Sequence, residues 1–330
     1  MGTRRLLLAG GAAVLACPAL SPALSPALAS FPERPVRLVV PYAAGGNADV
    51  VARLLAPGMQ QRLGQPVVVE NRVGGGGTLG ADLVAHGRAD GYSLLVGSNG
   101  PLSVNPVLQS LPYDALRDFT PVAMASRVPL TLTVGRAVPA TTLAEFVALA
   151  KARPGGLNVG STGVGSGTHL TLARLAHATG APLVHVPFRG GGALGADLIG
   201  GTVDGVVVEL NTALGLAQGG QARILAVAAG RRAVAAPGVP TMIEAGLPGF
   251  TAASFVGLVA PAGTPAEVLA ALRAAMLGAL DSAEVRARIV EGGGEPSGAE
   301  DRTAAGFGAF LRDELARTRE AAALAGLSAG

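Results

Sequence analysis

The sequence predicts an α/β protein of two lobes, each a doubly wound parallel sheet with helices on both faces. Three observations carry this. Short Val- and Leu-rich runs alternate with amphipathic helical stretches through most of the chain. The alternation restarts near residue 131, so each half has its own strand, glycine turn and helix. Two glycine-rich turns, more than a hundred residues apart, each close a strand and open a helix.

Taken in order, Val36–Val40 reads as the first strand, and a helix over residues 49–63 follows. A strand over 67–70 ends in a glycine loop, and a helix over 79–86 leads to a strand at 93–96 and a loop over 97–105. Residues 122–125 and 130–134 read as two strands, because Arg127-Val128-Pro129 separates them. The second half continues with a helix Leu143–Ala152, a strand at 157–159, a helix over 168–179 and a strand Leu183–Pro187. A short helix at 193–199 and strands at 203–208, 223–228 and 255–259 come next. Two helices, 265–281 and 302–324, close the chain. Aromatic residues are scarce (8 Phe, 3 Tyr, no Trp), so the core must be built from aliphatic side chains.

The first turn is Pro41-Tyr42-Ala43-Ala44-Gly45-Gly46-Asn47-Ala48-Asp49 and the second Gly160-Ser161-Thr162-Gly163-Val164-Gly165-Ser166-Gly167-Thr168-His169. A strand-to-helix turn of this kind leaves backbone N–H groups unpaired at a helix N-terminus, with the helix dipole behind them, and so offers a place for an anion. Both turns fall at the carboxyl ends of their strands, where doubly wound proteins bind ligands. Two lobes facing each other form a cleft that can hinge shut.

Composition removes several function classes. The only lysine is Lys151, so there is no Walker-type Gly-Lys-Ser/Thr. The net charge is +3, but Arg4 and Arg5 lie in a leader whose removal leaves +1; no basic cluster or aromatic platform points to nucleic acid. Residues 1–29 read as an export signal: a Thr3-Arg4-Arg5-Leu6-Leu7 start of twin-arginine type, an apolar stretch broken by prolines, and cleavage after Ala29 in Ala27-Leu28-Ala29. Cys17 is the only cysteine and falls in this leader; Pro18 just after it argues against a lipoprotein anchor. The mature chain therefore carries no disulfide or thiol chemistry, and no His/Cys/Asp/Glu spacing suggests a metal or another cofactor.

Six segments in sequence carry a family resemblance. Arg34-Pro35-Val36-Arg37-Leu38-Val39-Val40-Pro41-Tyr42-Ala43-Ala44-Gly45-Gly46 with Asp49, and Leu63-Gly64-Gln65-Pro66-Val67-Val68-Val69-Glu70-Asn71-Arg72, are the first two. Asp90-Gly91-Tyr92-Ser93, Leu111-Pro112-Tyr113-Asp114, His185-Val186-Pro187-Phe188-Arg189-Gly190-Gly191 and Ala260-Pro261-Ala262-Gly263-Thr264-Pro265 complete the set. Together they resemble the substrate-binding proteins of tripartite tricarboxylate transporters. The resemblance implies a periplasmic, monomeric, flytrap-type binding protein (type II). It also implies that residues 30–130 plus 254–330 form one lobe and 131–253 the other. Its ligand would be a small carboxylate, passed to a permease with a large and a small membrane subunit; a sensing role without transport is the alternative. Arg189, Phe188 and Glu209 depart from the pattern, where lysine, tyrosine and aspartate are common.

The expected ligand contacts follow. Tyr42, Ala44, Gly45, Gly46 and Asn47 form the first turn, with Asp49 either capping the helix or orienting a water. Ser161, Gly165, Ser166, Thr168 and His169 form the second. Ser98 and Asn99 follow the third strand. Arg189 with Gly190 offers a guanidinium for a bidentate carboxylate pair, and Glu209 either accepts from the ligand or pairs with Arg189. Each has a plainer reading as a turn, cap or ion pair. His86, His177 and His185 read as surface or core residues.

No catalytic residue is expected. Gly190-Gly191-Gly192-Ala193-Leu194-Gly195 matches a dinucleotide fingerprint, but with 49 glycines in 330 residues about one chance match is expected. There is no G-x-S-x-G, since Val164 stands two residues before Ser166, and no HExxH. An exported hydrolase with an unrecognised triad is the remaining enzymatic alternative.

Overall fold

The computed structural model describes residues 31–188 and 191–327. Its strands are β1 (Val36–Val40), β2 (Val67–Asn71), β3 (Ser93–Gly97), β4 (Phe119–Gly135), β5 (Leu157–Ser161), β6 (Leu183–Pro187), β7 (Gly205–Glu209), β8 (Ala222–Val227), β9 (Ala253–Pro261) and β10 (Glu295–Pro296). The helices are α1 (Asn47–Leu63), α2 (Thr78–Ala85), α3 (Asn105–Leu108), α4 (Leu143–Ala152), α5 (Gly167–Thr179), α6 (Gly191–Gly200), α7 (Leu210–Gln218), α8 (Ala266–Leu280), α9 (Ala283–Glu291) and α10 (Ala304–Leu324).

The strands run in the order β2-β1-β3-β9-β4-β7-β5-β6, with β10 and β8 also paired to β4. β2, β1 and β3 are parallel, as are β6, β5 and β7. Between these two parallel sets lie the antiparallel strands β9 and β4. The wholly parallel expectation is thus corrected to a mixed sheet. A βα unit returns its chain in parallel, whereas β4 and β9 pass directly between the halves and pair in opposite senses.

The expected break at 126–129 is also corrected, because β4 is one 17-residue strand. Residues up to Pro129 pair with β9, and from Leu130 onward the partners are β7 and β8. The amide that Pro129 lacks falls at this change of partner. Val134, with Leu132, leads into the second half, where the core holds Phe146, Leu157, Val159, Leu172 and Val207. The core beside β1–β3 buries Val36, Leu38, Leu55, Met59 and Leu94 together with Val256, Leu272 and Met276 from the C-terminal part of the chain.

α1 shows how an aliphatic core forms. Val51, Leu55 and Met59 recur at helical spacing and are buried. Gly58 permits a close crossing with α8: a Cβ there would lie 2.7 Å from Ala279 Cβ. The helix stops at Gly64, whose φ of 68° turns the chain left-handed. α10 buries Phe307 against Phe255 edge-to-face at 6.1 Å and Leu311 beside them. Further along, its Ala321 and Ala322 meet Leu170 of α5 and Val104. α10 therefore touches both halves of the chain.

Candidate functional site

The carboxyl ends of β1, β3, β5 and β7 open on one cavity of about 540 Å³, within the range of small-molecule sites. Its wall takes residues from both parallel sets, from α10 and from the start of β9.

At the first turn, α1 begins after Gly46 with no side-chain cap. Its first amides therefore have no intrahelical partner, and Asn47 and Ala48 line the cavity with Tyr42 and Gly46. Asp49 sits behind the turn, its side chain only 3% exposed. Its carboxylate accepts from Gly45 N at 2.9 Å, Asn71 Nδ2 at 2.9 Å and Arg53 Nε at 2.9 Å. The Arg53 hydrogen bond is the main reason its pKa falls to about 2. Asp49 thus braces the turn, and the Gly45 amide is committed to it. Ala44 and Gly45 are exposed and do not line the cavity. Tyr42 accepts from Ser98 Oγ at 3.0 Å, and burial pushes its phenol pKa up.

At the second turn, Ser166 caps α5. Its Oγ accepts from His169 N at 3.2 Å and donates to Gly163 O at 2.7 Å. Thr168 Oγ1 accepts from Thr162 N at 2.9 Å. The Gly167 and Thr168 amides have no acceptor among the described residues, and both residues line the cavity beside Gly165 and Ser166.

Ser161 and His169 lie behind this wall. Ser161 is fully buried, its Oγ 2.6 Å from His185 Nε2. His169 stacks on His185 with centroids 3.7 Å apart and an interplanar angle of 9°. The Gly165 amide donates to His169 Nδ1 at 3.1 Å, which requires that nitrogen to be unprotonated. Burial, reinforced by His185, pushes the His169 pKa down to about 4; burial also lowers that of His185. The neutral ring braces the turn instead of reaching into the cavity.

Ser98, Asn99 and Glu209 line the cavity as expected. Asn99 is tied into β9: its Oδ1 accepts from Phe255 N at 2.9 Å and its Nδ2 donates to Ala253 O at 3.1 Å. Glu209 accepts from Ser254 Oγ at 2.9 Å. Arg189 and Gly190 lie outside the described residues.

Sequence reasoning missed Arg174 on α5 and Glu314 and Arg317 on α10, all in the cavity wall. The signal for Arg174 was present: Gly167, Thr171 and Arg174 recur at helical spacing, so the face that starts at the turn continues to a guanidinium. Nothing local marks Glu314 and Arg317, because tertiary folding alone brings α10 to the cleft.

Comparison with known proteins agrees with this geometry. The family described as "Tripartite tricarboxylate transporter family receptor" matches residues 51–325. Protein BugT of Bordetella pertussis is 37% identical over 291 residues, 87% of this chain and 88% of BugT. The structure of R. palustris Rpa4515 with adipate superimposes with a TM-score of 0.80 at 34% identity, covering 91% of this chain and all of that one. MatC from Rhodopseudomonas palustris with bound malate gives 0.76 at 36% identity, covering 88% and 99%. A family match across most of the chain, with relatives above 30% identical over most of their own length, places the chain in the tripartite tricarboxylate transporter receptor family.

Proposed function

We propose that this chain is a periplasmic receptor that captures a small carboxylate between two lobes and delivers it to a tripartite permease. The observation that carries the reading is the convergence of two helix N-termini, with amides at Asn47, Ala48, Gly167 and Thr168, on one cavity of about 540 Å³. Such amides stabilise an anion without a counter-charge. The relatives bound to adipate and malate support the ligand class.

In this reading residues 30–130 plus 254–330 and residues 131–253 are the two lobes. They hinge where β4 changes partners near Pro129 and Leu130 and where the chain returns at Ala252 and Ala253. Tyr42, Ser98, Ser166, Thr168 and Glu209 border the ligand, while Asp49, Ser161 and His169 hold the turns in shape. The receptor binds without chemistry, acts as a monomer and meets the large and small membrane subunits of the permease. The leader directs export and is cleaved after Ala29; no described helix is long and apolar enough to cross a membrane.

The test is a thermal-shift screen of residues 30–330 against mono-, di- and tricarboxylates and amino acids, followed by calorimetry. A ligand at ~100 times its Kd stabilises by about 2.7 kcal/mol. A saturable carboxylate recovered unchanged is the expected result. Turnover of an ester or amide would overturn the reading, as would silence across the panel from protein shown by native mass spectrometry to be ligand-free.

A further inference from the structure

The cavity extends past the glycine turns along α5 to α10. Arg174 stands seven residues beyond Gly167 on the same helix, ~10 Å of axial rise. Helical side chains lean toward the N-terminus, which brings its guanidinium back toward the turn amides. The guanidinium lies over the Phe250 ring, 4.7 Å from the centroid, and Nη1 donates to Thr251 O at 3.0 Å. That is its one hydrogen bond among the described residues, and no described carboxylate is within ion-pair distance.

Two acids of α10 bear on the charge of Arg174, Glu314 and the exposed Glu320, and neither forms an ion pair with it. Glu314 accepts from Asn99 Nδ2 at 3.3 Å and from Arg317 Nη2 at 3.0 Å, and Glu209 accepts from Ser254. Partial burial lowers the Arg174 pKa, as expected of a guanidinium drawn out of water. A guanidinium has five donors in a planar fork that matches a carboxylate. Held over an aromatic ring, with one donor used, Arg174 is oriented before any ligand arrives.

We propose that Arg174 is the second anchor of this cleft and holds the distal carboxylate of a dicarboxylate whose other end lies on the amides of the two glycine turns. This rests on the receptor reading and narrows it to acids with two anionic ends. Arg317, engaged by Glu314, serves to keep that glutamate from competing for Arg174.

The test is calorimetry with dicarboxylates from butanedioate to octanedioate, each paired with the monocarboxylate of equal length. The wild-type protein should prefer the diacid at whichever length binds best. Arg174→Gln should weaken that diacid by roughly ten- to hundredfold, the range expected for hydrogen bonds to a charged group, and leave the monoacid almost unchanged. Arg174→Lys should recover part of the loss, as a point charge without the fork. Equal loss of both acids in Arg174→Gln, or no loss, overturns the subsite. If that variant does not fold, the wild type decides: a monomethyl ester binding as tightly as the diacid overturns the subsite too. Wild-type binding of monoacids and diacids without preference removes only the subsite; binding of neither removes the receptor reading with it.

Discussion

Replacing Asp49 by Asn tests how the first turn is held. The carboxylate is buried, accepts from Gly45, Asn71 and Arg53, and has a pKa of about 2 in place of the ordinary 3.8. At ~1.4 kcal/mol per tenfold change in proton affinity, ionisation stabilises the fold by up to ~2.5 kcal/mol at neutral pH. Arg53 is 52% exposed, so solvent screening reduces this to ~1–2 kcal/mol. Because the folded pKa is depressed, the contribution is full above about pH 4 and is lost as pH falls through about 2. Roughly half of it should remain at pH 3, where the folded carboxyl is still ionised and the unfolded one is mostly protonated. Urea denaturation should therefore show Asp49→Asn less stable by ~1–2 kcal/mol at pH 7, with the gap narrowing by about half at pH 3. Carboxylate affinity should fall as well, because asparagine offers one acceptor oxygen where Gly45, Asn71 and Arg53 now share two, and the turn loosens. A gap that does not change between pH 7 and pH 3 would refute the assignment of the charge as the brace.

Three further outcomes follow from the same geometry. Ser166→Asp should keep the fold, since aspartate is a good helix cap, yet abolish carboxylate binding by placing a negative charge at the anion site; wild-type affinity by calorimetry would contradict the site. His169 has a folded pKa of about 4, so the unfolded state takes up more protons between about pH 6.5 and 4 and stability should fall through that window. His169→Gln should flatten part of this decline in denaturation curves, and an unchanged pH profile would remove the histidine from the account. Gly100→Ala would drive a Cβ into the Tyr42 hydroxyl and to 2.7 Å from Gly76 O; overpacking of this kind destabilises by ~1–3 kcal/mol. Its melting point and affinity should both drop, and an unaltered protein would show that this wall can yield.

Much of this arrangement was legible before folding was considered. The βα units announce themselves through period and turn chemistry, and Leu143–Ala152 and Leu183–Pro187 match to the residue. α7 and α9 were missed. α7 follows β7 directly, with no side-chain cap to mark its start, and α9 buries only Val285 and Ile289 among charged residues. β4 was split because a proline reads as a break until its partner strands are known. At the site, glycine spacing marked both turns that border the cavity, because exposed backbone amides need no particular side chain. The orientation of side chains was not legible. Asp49, Ser161 and His169 are polar residues in the right turns, and only packing decides that they face inward. Arg174 was within reach of helical periodicity; Glu314 and Arg317 were not, since they depend on where α10 lands.

The most direct test of the two-turn site is an amide NMR titration of the mature chain with the best-binding carboxylate from the screen. The account predicts that the amides of Asn47 and Ala48 and those of Gly167 and Thr168 shift together and saturate with one Kd. Shifts confined to one turn, or a saturating ligand that leaves both turns unmoved, would contradict it.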